Sequence, residues 1–119
     1  DREFYEWFIL GARLAMTRRI KRIPTPTFVY RDWSSGQVTK TLRYCEARPK
    51  AIEDVLRLPL STNARDYCIG KLADAYNQLA CVYLQNGDWL DAWKSHGYCL
   101  RTPGGLRYAS FTRRLLLPP

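Results

Sequence analysis

The stretch Leu72–Arg101, LADAYNQLACVYLQNGDWLDAWKSHGYCLR, decides the fold of this 119-residue chain. Apolar and small residues recur at helical spacing from Leu72 to Tyr83, and Asn86-Gly87 supplies a stop. Asp88 stands where the next helix needs a cap, with Asp91 in the capping-box position. Leu90, Trp93, Gly97 and Leu100 run along that second helix, which Thr102-Pro103-Gly104-Gly105 closes. Two helices joined by so short a turn fold back on each other as an antiparallel hairpin.

Working outward, Ser61-Thr62-Asn63 offers caps for the long helix, about 64–85, with Tyr67 and Cys68 expected among its inward residues. Upstream, Val38, Leu42 and Cys45 share one side of a helix over 37–47. Pro49 then predicts a kink or restart before Ala51, Ile52, Val55 and Leu56. Downstream, Leu106–Leu116 reads as a final short helix. In the hairpin itself, Tyr76, Leu79, Ala80, Tyr83, Gly87, Trp89 and Ala92 resemble a tetratricopeptide unit, in which small residues let two helices approach and aromatics fill the gap. Only one such unit is present where a solenoid needs about three, which favours a packed hairpin over a peptide-binding groove.

The first 39 residues have a different character. DREFYEW opens a helix with carboxylates at its start and Arg13, Arg18 and Arg19 towards its end, the order that suits the helix dipole. Phe4, Trp7, Phe8, Gly11, Leu14 and Ala15 make one apolar face, and Tyr5, Ile9, Leu10 and Met16 make the opposite face apolar too. Such a helix requires cover on both sides, from a missing part of the protein or from self-association. Ile20–Arg31, with Phe28 and Tyr30 alternating against Val29, reads as a short extended or edge strand whose start Pro24 and Pro26 restrict. The fold class is therefore mainly α: a helix, one short strand segment, then a helical bundle containing the hairpin.

A chain of this length buries a real core without staples. Nineteen Lys and Arg against eleven Asp and Glu give a net charge of +8, which suits anionic partners, although the basic residues are scattered in pairs and make nucleic acid a secondary expectation. Cys45, Cys68, Cys81 and Cys99 form no Cys-x-x-Cys pair and have a single histidine for company, so their spacing does not read as a zinc site. Three of them lie on apolar helical faces as small hydrophobes, the pattern of a reducing, cytoplasmic chain. No apolar run approaches the roughly 20 residues that span a bilayer. His96, in mid-helix without an orienting partner, reads as a packed or surface residue rather than a catalytic one.

Asp1 and Glu3 are the candidate chemical groups: carboxylates at a helix start beside Phe4, Tyr5 and Trp7 occupy a partly apolar setting that raises a pKa towards that of a general base, although capping alone also explains them. The order D-R-E-F-Y-E-W, then I-P-T-P-T-F-V-Y-R, then S-S-G-Q-V-T resembles the end of the catalytic domain of family 2 glycosyltransferases of the GT-A fold. By that resemblance, residues 1–35 end a catalytic domain and residues 36–119 form a C-terminal helical region. Asp1 is the base that deprotonates the acceptor hydroxyl, and Glu3 is its acidic companion. Tyr5 and Trp7 belong to the acceptor-sugar wall, while Tyr30 and Arg31 lie towards the nucleotide sugar.

The resemblance further implies a nucleotide sugar and an acceptor glycan as partners. It also implies a divalent metal, Mg or Mn, held by an upstream Asp-x-Asp absent from these residues, and a location that is cytoplasmic or peripheral to a membrane. It makes the chain the C-terminal part of a larger enzyme, inactive alone. The alternative reading is a small basic helical module that binds a protein or an RNA-containing assembly.

Overall fold

The computed structural model describes residues 5–19, 21, 23–27 and 41–117. Among these residues five α-helices follow in order: α1 (Glu6–Thr17), α2 (Leu42–Leu56), α3 (Thr62–Gln85), α4 (Trp89–Arg101) and α5 (Thr112–Leu116), with a 3-10 segment, Gly105–Phe111, between the last two. The mainly α fold expected from the sequence is the fold observed. The expected strand is not: residues 21 and 23–27 enter no ladder, and Ile20, Arg22 and Phe28–Arg31 lie outside the described residues. Pro24 and Pro26 each remove a ladder donor, and no second strand exists among the described residues to pair with. The expected boundary between residues 35 and 36 also lies outside them.

Local signals explain most helix ends. The Thr41 side chain accepts the Tyr44 N–H at 3.3 Å to start α2, and the Ser61 side chain accepts the Ala64 N–H at 3.3 Å to start α3. Asp88 occupies the N-cap of α4 but makes no capping hydrogen bond, and Asp91 pairs with Lys94 at 2.9 Å instead of closing a capping box. Contrary to the expected break, α2 runs as one helix through Pro49. The proline gives up one backbone bond, while burial of Cys45, Ala47, Ala51, Ile52 and Val55 on either side holds the helix together.

The bundle core is made mostly of small residues. Ala73, Ala80, Ala92, Cys99 and Leu115 are each 0% exposed, so α3 and α4 approach closely along the hairpin. Gly87, at φ 83°, makes the left-handed step between them, where the Asp88 N–H returns to the Tyr83 carbonyl at 2.9 Å. The buried face of α4 is Ala92, Ser95, His96 and Cys99. Leu90 and Trp93 lie on its exposed side. After α4, Thr102-Pro103-Gly104-Gly105 forms a type II turn with Gly104 at φ 81° and the Gly105 N–H bonded to the Thr102 carbonyl at 2.8 Å. Phe111 and Leu115 then pack back on Ala80 and Ala92.

Candidate functional site

Helix α1 lies against α2 with none of its residues buried. Its Phe8, Gly11, Ala12, Ala15 and Met16 form one side of a groove. Val55, Pro59, Leu60 and Ala64 line the opposite side, from the end of α2 into the start of α3. This part encloses about 730 Å³, within the rough 300–1,000 Å³ span of small-molecule sites. A second chamber of about 270 Å³ lies between Tyr5, Phe8, Arg48, Ile52 and Lys71. Phe8, Tyr67 and Cys68 line both chambers and make them one groove.

The charge of the groove is uneven. Among the described residues, Arg48 and Lys71, both at the smaller chamber, are its only charged lining residues, and no carboxylate lines either part. Arg48 is held in place by Asp74 at 3.1 Å and by the Gln78 side-chain oxygen. The Lys71 ammonium lies 5.4 Å from the centre of the Tyr67 ring.

Of the residues singled out from sequence, Asp1, Glu3, Tyr30 and Arg31 lie outside the described residues. Tyr5 and Trp7 are described, and the structure does not bring them together. The Tyr5 ring sits 4.8 Å from that of Tyr44 on α2, and burial pushes its phenol well above the usual tyrosine range, with Tyr44 adding to the shift and Arg48 opposing it. Trp7 is 82% exposed on the other side of α1. Leu10 and Leu14 continue that outer stripe, so the two expected faces are redistributed: Tyr5, Phe8, Gly11, Ala15 and Met16, drawn from both, line the groove, while Trp7, Leu10 and Leu14, also drawn from both, meet solvent.

Sequence reasoning missed Arg48, Ile52 and Lys71 as lining residues. The signal was present in the spacing: Arg48, Ile52 and Val55 on α2, and Ala64, Tyr67, Cys68 and Lys71 on α3, each follow one helical face. Tyr67 was expected to be inward and is 66% exposed, since α1 stands far enough off to leave the groove open.

A second aromatic patch ties the bundle together. The Tyr76 hydroxyl donates to Glu53 and the Tyr83 hydroxyl donates to Glu46, each at 2.6 Å, linking α3 to α2. Tyr76 stacks on Tyr98 of α4 with ring centres 5.4 Å apart. Burial raises both bonded phenols, and their carboxylate partners reinforce the shift, so these hydroxyls stay protonated donors rather than bases.

His96 is buried, with Nε2 at 2.8 Å from the Thr112 hydroxyl and its ring edge-on to Phe111. It packs, as one of the two sequence readings had it. All four cysteines are free thiols. Among the described residues no group of three or more His, Cys, Asp or Glu is placed to hold a metal ion, so the divalent metal implied by the resemblance finds no ligand set there. No helix of the described residues is long and apolar enough to cross a membrane. Comparison with known protein families, curated proteins and solved structures finds no match to this chain.

Proposed function

We propose that this chain is the C-terminal part of a sugar-nucleotide-dependent glycosyltransferase, with α1 at the edge of the catalytic part and α2–α5 as its helical support. The observation that carries the reading is α1 itself, an apolar helix with no buried residue and with Trp7, Leu10 and Leu14 turned to solvent. A free-standing helical module gains nothing from that stripe, whereas a helix that continues into a larger domain needs it. The motif order from Asp1 to Thr39 supplies the chemical content.

In this reading Asp1 accepts the proton of the acceptor hydroxyl as that oxygen attacks the anomeric carbon, and Glu3 tunes its basicity. Arg31 offsets the charge of the diphosphate leaving group. The cytoplasmic location, the nucleotide-sugar donor and the glycan acceptor belong to the same proposal. The test is Asp1→Asn in the longer enzyme: turnover falls by at least about 100-fold while donor affinity, read by titration, is unchanged. A variant that turns over at a near-normal rate overturns the assignment of the base.

A further inference from the structure

The groove between α1, α2 and α3 has two unlike chambers. The smaller chamber is lined by Arg48 and Lys71, and the larger by Ala12, Ala15, Met16 and Val55. Charge and shape together specify a ligand more narrowly than either does alone. An apolar peptide helix has no use for two cations in one chamber, and an inorganic anion has no use for the larger chamber. Lys71 also borders a neighbouring opening lined by Asp66, Asp74, Arg107 and Tyr108, where Asp74 is already engaged by Arg48 and by the Tyr108 hydroxyl. Lys71 makes no ion pair among the described residues, which leaves its ammonium available to a ligand.

We propose that this groove binds a monomeric single-chain amphiphile with an anionic head, such as an alkyl phosphate or a fatty carboxylate. Lys71 receives the head beside Arg48, and the chain lies along Phe8 and Cys68 into the larger chamber. The small residues of α1 make the room: a Cβ added at Gly11 would meet no described atom within 4 Å. Burying the hydrocarbon supplies the driving force, and the cations set the orientation. The proposal stands independently of the glycosyltransferase reading.

Cys68, partly buried where the two chambers join, is a built-in reporter, and the partly buried Cys81 lies outside the groove as an internal reference. The experiment follows iodoacetamide alkylation of each cysteine of the 119-residue chain by peptide mass spectrometry, with dodecyl phosphate held below its micellar concentration. Expected is a slowing at Cys68 of about tenfold at saturation with Cys81 unchanged. Lys71→Glu should raise the apparent Kd by about tenfold, equivalent to about 1.4 kcal/mol. Gly11→Leu fills the groove while improving helix propensity, so loss of protection in that variant, with helicity retained by circular dichroism, separates occlusion from unfolding.

Dodecyltrimethylammonium and dodecyl maltoside supply the cationic and neutral arms. Equal protection by either one, equal protection at Cys81, or no protection by dodecyl phosphate overturns the proposal. Protection that requires vesicles of anionic lipid and is absent with the monomer assigns the effect to a membrane surface and overturns it as well.

Discussion

Helix α1 and the α3–α4 hairpin show opposite relations between composition and burial. α1 carries Trp7, Phe8, Leu10, Leu14 and Met16, all at least 40% exposed. The hairpin is sealed by alanines and a cysteine, with Ala73, Ala80, Ala92 and Cys99 at 0%. Large apolar side chains do not bury themselves. What buries a residue is a partner close enough to exclude water, and two helices come closest where their facing side chains are smallest. The hairpin has that partner in its own sequence, joined by a turn of a few residues. α1 meets α2 along a groove and leaves its outer stripe uncovered.

The most severe way to probe this contrast is through two glycines. A Cβ at Gly105 would stand 1.7 Å from the Cys99 carbonyl oxygen, a backbone clash that no rotamer relieves. Gly105→Ala should destabilise the chain by about 4 kcal/mol in urea unfolding. Gly11→Ala on α1, with open space around it, should instead favour the helix by about 1 kcal/mol and raise helicity by circular dichroism. Equal effects at the two positions would break the comparison.

Leucines sharpen it further. Leu115, fully buried against Ala80, Ala92 and Phe111, should cost about 3 kcal/mol as Leu115→Ala. Leu14→Ala, at 46% exposure, should cost less than about 0.5 kcal/mol. A large loss at Leu14 would mean that the outer stripe of α1 is already covered, for instance by a second copy of the chain.

The smallest expected effect is a pH slope confined to the hairpin side. Burial lowers the His96 pKa, because charging the ring would place a cation in the core. A folded pKa below the unfolded value of about 6.5 means that the unfolded chain binds the proton first as pH falls. The stability from this residue is therefore complete above about pH 6.5 and is lost as pH drops from there towards the folded pKa, by at most about 1.4 kcal/mol per pH unit for one proton. His96→Gln should flatten the dependence of Tm on pH in that window. A slope that survives the substitution assigns it to carboxylates instead.

Much of the helical scaffold was legible because helix punctuation is local. Ser61, Asn86-Gly87 and Thr102-Pro103-Gly104-Gly105 act within a few residues of themselves, and the structure places helix ends beside each of them. Pro49 misled for the complementary reason: its local cost is real, but the burial that outweighs it comes from other helices. On α4, Leu90 and Trp93 carry more apolar surface than Ala92 and Cys99, yet it is the smaller pair that the bundle buries. Of the sequence candidates, Tyr5 lines the groove, Trp7 stands apart from it, and Asp1, Glu3, Tyr30 and Arg31 lie outside the described residues.

The sequence by itself determined the fold class, most of the helix stops and the unusual apolarity of α1, because periodicity, caps and turn residues act over one or two helical turns. Only the tertiary structure decided which apolar faces are core, which line a groove and which meet water. It also showed that Arg48 and Lys71, 23 positions apart in the chain, line the same chamber of that groove. Those outcomes depend on the distance between helices, which side-chain volumes set jointly and no single segment encodes.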